Sequence, residues 1–396
     1  MNLRTIVGQY TPHIKNALLW IISKRYRLLA DIHSYRKASL PTLTEAENYI
    51  NMQGYQRNST PSYAPLLEST KLLSIIVPVY NGGKCLQKCL LSLLNQKTNI
   101  EYEIVCVDDG SKDDSLEILY ALKREYGEKI VVYHQNNSGI AQARNQGIAL
   151  AKGEYLGFVD NDDTVSPYYI DVLINEAQKH QADIVQAGYT RVRTNGSVIY
   201  EDCVKSKMIL NNDGCYSFVS FISGFIWTGI YKKALFEKVR FNVGYWFEDM
   251  ITKLVIAREA KTAVVLNESL YHYTLHDGNS SKTLWKTNSI KSLDGLFLPI
   301  ELYDLSKNKL QLPINEQINN LIVHELCWQL PFRMKGLSLS LQKAAFVVAR
   351  NFFIKNSISS NNSDFSWNLL SKAILDGKFN RWRYLSYSEC YKSKII

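Results

Sequence analysis

Three aspartates, Asp160, Asp162 and Asp163, occupy four positions directly after the apolar run at 155–159. Hard carboxylate oxygens suit Mg²⁺ or Mn²⁺, especially when phosphate oxygens complete the coordination shell. Asp160 and Asp162 are one residue apart at the end of a buried strand, so both can turn toward one cation. For such a pattern in isolation, a solvated turn is the alternative interpretation, and the surrounding elements have to decide between the two.

A second acidic cluster, the sequence DDGS at 108–111, follows the apolar run at 103–107. The carboxylates of Asp108 and Asp109 could accept hydrogen bonds from a base N–H or from ribose hydroxyls, or they could cap a turn. Arg144 could face a base or phosphates, or it could be a surface charge. The chain has no GxxxxGK[ST] and no GxGxxG sequence, so a P-loop or Rossmann dinucleotide site lacks its phosphate cradle.

Three further side chains could act on a substrate. Glu248 and Asp249 follow the aromatic stretch at 244–247 and could hold a proton acceptor, or they could be an acidic pair at a helix N-terminus. His276 could reach a metal or a diphosphate, or it could form a structural hydrogen bond. Trp227 could stack on a sugar ring or could belong to the core.

The middle of the chain alternates apolar runs with helical patterns, which predicts a mostly parallel sheet flanked by helices. The predicted strands span 72–77, 103–107, 130–134, 155–159 and 183–189, and the sequence TNGS at 194–197 is typical of a hairpin turn. Ligands bind beyond the carboxyl ends of strands in such sheets. A polar cluster follows each of the first four strands, namely PVYN, DDGS, NNSG and DNDD, and these clusters therefore predict a single site.

Taken together, four stretches resemble a family 2 glycosyltransferase of the GT-A fold, of the bacterial surface-polysaccharide type. They are SIIVPVYN, VDDGSKDDS, NNSGIAQARNQGIALAKGEYLGFVDNDD and YWFEDM. Each motif alone is weak, but the set in this order is highly specific and spans 72–281, which is roughly half of the chain. The resemblance implies a nucleotide-sugar donor, usually UDP-linked, a Mn²⁺ or Mg²⁺ cofactor and inversion at the anomeric carbon.

The resemblance also implies roles for individual residues. The residues implied to hold the nucleotide are Pro78, Val79, Tyr80, Asp108, Asp109 and Arg144. The residues implied to hold the metal–diphosphate are Asp160 and Asp162, with His276 standing in a loop where the family commonly has an arginine. Asp249 matches the catalytic base and Glu248 lies beside it, while Asp163 and Trp227 are expected near the acceptor or the sugar.

Composition and charge set the wider expectations. At 46% hydrophobic residues the chain is globular, and seven scattered cysteines without a framework spacing indicate a reducing compartment. The net charge is +9, with positive surpluses in 1–71 and 282–396 and a negative balance in 72–281. We therefore expect a basic helical leader and linker (1–71), a GT-A catalytic domain (72–281) and a helical basic C-terminal region (282–396).

The resemblance implies an enzyme that extends a bacterial surface glycan on a lipid-linked saccharide acceptor, and we expect it to be cytoplasmic or peripheral at the inner membrane face. Basic, aromatic-bearing flanks suit an anionic membrane surface, and the acidic centre argues against nucleic acid. The apolar patch at 17–22 is too short to span a membrane. A nucleotidylyltransferase of related fold or a sugar-nucleotide-binding protein is the alternative function, and the oligomeric state is left open.

Overall fold

The computed structural model describes residues 12–33, 38–57, 64–212, 217–276, 279, 289–359 and 365–393. The chain divides into two compact units. The sheet unit comprises residues 58–279 and 305–313, and the helical unit comprises residues 1–57, 280–304 and 314–396. The boundaries at 71/72 and 281/282 that the sequence suggests stay predictions.

The strands of the sheet unit follow in chain order. They are β1 Lys71–Val79, β2 Tyr102–Asp108, β3 Ile130–His134, β4 Gly153–Phe158, β5 Thr164–Val165, β6 Ile184–Arg193, β7 Val198–Asp202, β8 Met208–Asn211, β9 Gly229–Lys232 and β10 Thr262–Leu275.

The α-helices of both units are numbered along the chain. They are α1 Pro12–Ile32, α2 Leu43–Met52, α3 Gly83–Leu94, α4 Ser115–Tyr126, α5 Ile140–Leu150, α6 Tyr169–His180, α7 Ala257–Glu259, α8 Asp294–Asp304, α9 Glu316–Val323, α10 Leu330–Arg333, α11 Leu339–Lys355, α12 Phe365–Leu375 and α13 Phe379–Lys392.

The strands form one mixed sheet in the order β3-β2-β1-β4-β9-β6-β10-β5, with β7 beside β6 and β8 beside β10. The pairs β1–β2, β1–β4, β2–β3 and β6–β10 are parallel, and the sequence TNGS joins β6 to β7 as predicted. β1 and β2 are apolar and largely buried because α-helices cover both faces of parallel sheets. The predicted GT-A type of α/β fold is confirmed, including the N- and C-terminal helices.

The strand register gathers the predicted polar clusters at one edge of the sheet. Val79 pairs with Asp108, and Asp108 pairs with His134, so β1, β2 and β3 end at the same level. The backbone N–H of Asp109 donates to the carbonyl of Val79 over 2.8 Å. β1 thus extends to Val79, two residues beyond its predicted end. Pro78 has no backbone N–H to donate, but it still pairs with Val107 in the parallel ladder.

A glycine lets helix α5 lie close against the central strand. A Cβ atom on Gly147 would meet Cγ2 of Ile76, in β1, at 2.4 Å, which is far inside van der Waals contact. Arg144 lies one turn earlier on the same helix, and its side chain is 2% exposed. The close approach of α5 to β1 therefore sets the depth at which the Arg144 guanidinium lies.

We expect Gly147→Ala to lower the free energy of unfolding by about 1–2 kcal/mol, although alanine is the better helix former. The gain in helix propensity is about 1 kcal/mol. Overpacking a filled core costs about 1–3 kcal/mol, and a contact as short as 2.4 Å puts this site in the upper half of that range, about 2–3 kcal/mol. Urea unfolding measures the difference. Gln146→Ala, on the same helix but only partly buried, is the matched control and should change stability by less than about 0.5 kcal/mol. An unchanged Gly147→Ala variant would contradict the close packing.

The segment 305–313 belongs to the sheet unit because buried Arg258 holds it. One terminal nitrogen of Arg258 donates to the hydroxyl of Ser306 over 2.8 Å and to the carbonyl of Leu254 over 3.1 Å. The other donates to the carbonyl of Pro313 over 2.6 Å. A buried guanidinium needs several acceptors, and two of these come from the 305–313 segment.

The helical unit has its own packing. α1 lies along α13, where the hydroxyls of Ser23 and Ser388 are 3.3 Å apart and the rings of Tyr26 and Tyr391 stack with centroids 5.7 Å apart. The Lys335 ammonium donates to both of those tyrosine hydroxyls, over 3.1 and 2.9 Å. Among the described residues, no helix is both long enough and apolar enough to cross a lipid bilayer.

Candidate active site

Hydrogen bonds with residues of strand β10 hold the aspartate-rich loop after β4 in place. The backbone N–H of Asp160 donates to the Tyr271 hydroxyl over 3.1 Å, and that hydroxyl donates to Oδ2 of Asp163 over 2.8 Å. The N–H of Thr274 donates to Oδ1 of Asp163 over 2.7 Å. Burial, together with the charges of Asp162 and Asp160, raises the pKa of Asp163 well above its usual range.

Asp163 is wholly buried, and both of its oxygens accept hydrogen bonds from β10. This arrangement favours a supporting role for Asp163, because it anchors the loop that carries its neighbours. The contact with acceptor or sugar that the sequence suggests for this residue stays a prediction.

Asp162 and His276 lie together at the open side of the loop. The Nε2 atom of His276 is 2.7 Å from Oδ2 of Asp162, and the side-chain amide of Asn279 is 3.4 Å from the same oxygen. Burial and the nearby charge of Asp160 raise the pKa of Asp162, and His276 partly offsets that rise. Asp162 and His276 are therefore in contact, and Asp160 is near enough for its charge to act on Asp162. The joint metal-binding role of Asp160, Asp162 and His276 stays a prediction.

This donor set fits a small divalent cation. Two carboxylates that repel one another, with an imidazole beside them, offer the oxygen and nitrogen donors that Mg²⁺ and Mn²⁺ accept. In the part of the chain that the structure describes, no cluster of three or more His, Cys, Asp or Glu side chains is close enough to form a metal cage on its own. A cation held here would need ligands from a bound substrate as well.

Arg144 links the aspartate-rich loop to the Glu248–Asp249 pair. One terminal nitrogen donates to Oδ1 of Asp160 over 2.9 Å, and the other donates to Oε1 of Glu248 over 2.5 Å. Burial alone would lower the pKa of the Arg144 guanidinium, but the charges of Asp160, Glu248 and Asp249 more than offset this and raise it. Arg144 thus contacts Glu248, 104 positions later in the chain, and Asp160 and Glu248 share one buried cation.

The Glu248–Asp249 pair begins a short 3₁₀ turn, Glu248–Met250, after a tightly bent segment. Gly244 and Phe247 both have left-handed backbone conformations, with φ of 81° and 66°. For a bulky side chain this conformation costs about 1–3 kcal/mol and is concentrated at functional sites. Asp249 lies close enough to Arg144 and to Tyr231 for its charge to raise the pKa of both groups.

Asp108 is wholly buried at the end of β2, and its two carboxylate oxygens differ in their hydrogen bonding. Its Oδ2 accepts from the backbone N–H of Ser111 over 3.3 Å and lies 2.7 Å from Nδ1 of His134. Its Oδ1 is buried and has no hydrogen-bond partner among the described residues. Because a buried carboxylate oxygen without a partner is costly, this atom is suited to accept from a ligand.

Asp109 has a different role from its neighbour. Its Oδ1 accepts from the side chain of Gln135 and from the backbone N–H of Ser138, and its Oδ2 accepts from the N–H of Gly139, each over 2.8 Å. Asp109 therefore braces the loop that leads into α5. Of the two aspartates that the sequence proposes for the base or ribose, the geometry favours Asp108.

The Pro78–Val79–Tyr80 stretch ends in an exposed ring. Pro78 and Val79 lie buried within the β1 ladder, whereas Tyr80 is 47% exposed just beyond it. Asn81 then adopts a left-handed conformation, and its side-chain oxygen accepts from the backbone N–H of Lys112 over 2.8 Å. Of the three residues, Tyr80 has the side chain that is free to contact a ligand.

Trp227 lies in a stack of aromatic rings. Its ring centroid is 4.5 Å from that of Tyr271 and 5.0 Å from that of Phe225, and the side chain is 7% exposed. This packing favours a core role beneath the aspartate-rich loop, and the sugar contact stays a prediction.

Several residues that contact the predicted site side chains were not predicted from the sequence, among them His134 and Asn279. His134 contacts Asp108, and Asn279 contacts Asp162. His134 is the last residue of β3, so the rule that ligands bind at carboxyl ends of strands could have found it. Asn279 follows β10 by several residues and carries no comparable signal.

Comparisons with known proteins show what this chain is similar to. The family described as Glycosyl transferase family 2 matches residues 74–236. Glycosyltransferase GlyG of Streptococcus pneumoniae serotype 4 is 35% identical over 226 residues, which cover 54% of this chain and 74% of GlyG. The uncharacterised glycosyltransferase EpsJ of Bacillus subtilis is 36% identical over 212 residues, or 51% of this chain and 60% of EpsJ.

A shorter match and a structural match add to these. The poly(ribitol-phosphate) beta-glucosyltransferase of Bacillus spizizenii is 44% identical over 114 residues, which are 28% of this chain and 18% of that protein. The crystal structure of residues 1–349 of S. aureus TarS in complex with UDP-GlcNAc has a TM-score of 0.62 at 21% identity, covering 82% of this chain and 92% of that 1–349 chain, and supports the fold. The chain, in which Arg144 holds Asp160 and Glu248 together, belongs to glycosyl transferase family 2.

Proposed function

We propose that this glycosyltransferase moves a sugar from a UDP-linked donor, with inversion, to a lipid-linked saccharide in the synthesis of a bacterial surface glycan. One observation carries the proposal. Arg144 holds Asp160, on the metal side, and Glu248, beside the expected base, within a single site. A donor diphosphate and an acceptor hydroxyl need these two kinds of carboxylate next to each other.

The proposed reaction is a single displacement. Asp249 accepts the proton of the acceptor hydroxyl as its oxygen bonds to the anomeric carbon, and the bond from that carbon to the diphosphate oxygen breaks. UDP leaves with the electron pair. Glu248, fixed by Arg144, positions the turn that carries Asp249. A Mn²⁺ or Mg²⁺ ion held by Asp160, Asp162 and His276 would neutralise charge on the departing diphosphate.

Residues at the ends of β1 and β2 would receive the nucleotide. The unpartnered Oδ1 of Asp108 is a suitable acceptor for the uracil N3–H or a ribose hydroxyl. The exposed ring of Tyr80 can lie along the base. A UDP donor is supported by TarS, whose crystal structure contains UDP-GlcNAc. For the acceptor, the support is the name of the Bacillus spizizenii relative, a glucosyltransferase acting on poly(ribitol-phosphate).

We place this reaction at the inner face of the cell membrane, where a lipid-linked acceptor would be presented. The positive surpluses in 1–71 and 282–396 support the placement, since each Lys or Arg near an anionic leaflet contributes about 1 kcal/mol.

A donor panel tests the proposed function. UDP-, GDP- and TDP-sugars are incubated with the protein and Mn²⁺, and free nucleoside diphosphate is measured, because slow hydrolysis needs no acceptor. We expect release from a UDP-sugar that stops when EDTA is added. Release from none of the donors, or formation of a UDP-sugar from UTP and a sugar phosphate, would reject the proposal.

Replacing Asp162 with alanine should weaken Mn²⁺-dependent binding of UDP by about 10–100-fold, because changes to the surroundings of a bound metal have costs of that order. Calorimetric titration of UDP with and without Mn²⁺ measures the effect. Glu201→Ala, an exposed acidic residue on β7, is the control and should bind UDP like the parent protein. Unchanged affinity in the Asp162 variant would remove this residue from the metal site.

A further inference from the structure

Helix α1 is apolar on two sides, although only one of them packs against protein. On the packed side, Leu19, Ser23 and Ala30 are buried, and α13 covers this side of the helix. Such packing explains why the helix is stable in the unit. It does not explain the residues on the outer side.

The outer side of α1 exposes large apolar side chains in a continuous stripe. Trp20, Ile21, Leu28 and Ile32 are between 52% and 61% exposed. Residues three or four apart share a helix face, and positions 20, 21, 24, 25, 28 and 32 follow that spacing. We call these six positions the outer stripe. Exposed Asp31, three residues after Leu28, lies near the edge of the same face, so the face keeps a net positive charge from Lys24 and Arg25.

Two cations occupy the middle of the outer stripe. Lys24 and Arg25 are exposed between Ile21 and Leu28, and the Lys24 ammonium lies 5.4 Å from the centre of the Trp20 ring. The stripe therefore combines an aromatic ring, aliphatic chains and positive charge on one surface of a single helix.

This combination points to a lipid surface and argues against a protein partner. The core of a protein–protein interface is depleted of lysine, whereas the outer stripe has Lys24 at its centre. At a bilayer surface the long Lys and Arg chains reach the headgroups while the apolar groups enter the acyl boundary. Tryptophan favours that boundary.

We propose that the outer stripe of α1 docks the protein onto an anionic bilayer, with the helix lying in the plane of the interface. Lys24 and Arg25 contact phosphate groups, and Trp20, Ile21, Leu28 and Ile32 enter the headgroup–acyl boundary. The surplus of positive charge in residues 1–71 complements the anionic surface. The proposal rests on the exposure of this helix and not on the glycosyltransferase reaction, so either can fail without the other.

Vesicle flotation tests it with the full chain. Vesicles of phosphatidylcholine alone are compared with vesicles of equal parts phosphatidylcholine and phosphatidylglycerol. We expect flotation with the mixed vesicles, weakened by high salt, because charge attraction is screened. Lys24→Glu/Arg25→Glu should weaken binding by at least about fivefold per charge. Trp20→Ser/Ile21→Ser/Leu28→Ser/Ile32→Ser should abolish it.

A matched control distinguishes binding by the outer stripe from nonspecific adsorption through other exposed apolar residues. Ile199→Ser/Tyr200→Ser changes exposed apolar residues on β7, 44% and 47% exposed, and should float like the parent protein. All replaced residues are exposed, so each variant should keep the parent melting temperature. Parent protein that does not float, or a fourfold variant that still floats, would overturn the proposal. So would a parent dimer that the fourfold variant dissociates, since the stripe would then bind a second copy.

Discussion

Replacing Asp249 with asparagine should reduce sugar transfer by about 10²–10⁴-fold, the range that a positioned general base contributes. The amide has nearly the same size as the carboxylate but cannot take the proton of the acceptor hydroxyl. Transfer is measured with a UDP-sugar found active in the donor panel and a saccharide acceptor. Binding of UDP with Mn²⁺ should stay within about twofold of the parent value, because Asp249 is not among the proposed nucleotide ligands.

Slow hydrolysis of the donor distinguishes this role from a structural one. Hydrolysis also needs a base, here to take a proton from water, so Asp249→Asn should lower hydrolysis and transfer together while donor binding is kept, whereas a structural defect would lower all three. Glu248→Gln is the neighbouring control. It keeps Asp249 but weakens the contact with Arg144, so its loss should be smaller. Full transfer by Asp249→Asn would reject the assignment of the base.

The second large effect is expected from Arg144→Gln. Removing one partner of a buried ion pair costs about 3–5 kcal/mol, and here two carboxylates lose the same cation. Both carboxylates keep some contact with water, with 23% and 13% of their side chains exposed, so we expect a loss near 3 kcal/mol. Transfer should fall by about 100-fold as well, since small displacements of reacting groups have effects of that order.

Urea unfolding and transfer rates of single and double variants check this. The Arg144→Gln/Glu248→Gln variant removes the cation together with one of its carboxylates. It should be more stable than the sum of the single changes suggests, by about 1–3 kcal/mol. Arg144→Lys should recover little, because one ammonium cannot bridge two carboxylates as the planar guanidinium does. Additive losses would show that the bridge does not act as a unit.

Local pattern was sufficient to predict the sheet and the position of its site. Continuous apolar runs marked β1 and β2, and polar clusters after them marked the edge where ligands bind. The contact between Asp162 and His276 lies at that edge, while the metal site that the family resemblance implies for Asp160, Asp162 and His276 stays a prediction. These features depend on short stretches of sequence or on the general rule for parallel sheets.

The distinct roles of neighbouring acidic residues could not be predicted in this way. Asp108 and Asp109 are chemically alike, and only the folded loop shows that Asp109 accepts three hydrogen bonds while Asp108 keeps a bare oxygen. Asp163 likewise differs from Asp162 because Tyr271 and Thr274 reach it from β10. Such differences depend on contacts between distant segments, which periodicity does not record.

Strand β9 shows the same limit for the fold. It has only four residues, Gly229–Lys232, and inserts antiparallel between β4 and β6. Nothing in four residues indicates which neighbours a strand will take. A Cβ on Gly229 would lie 2.0 Å from the carbonyl oxygen of Val185, so the pairing itself requires glycine there.

Arg258 has a practical consequence for anyone who shortens this protein or grafts it onto a relative. A fragment cut to the family-matched region, or one stopped at Asn279, would lack Ser306 and Pro313. The fragment that stops at Asn279 would keep the buried Arg258 guanidinium without two of its hydrogen-bond acceptors, at a cost of several kcal/mol. Chimeras and truncations should therefore include residues 305–313 together with the sheet, even though the family match ends at residue 236.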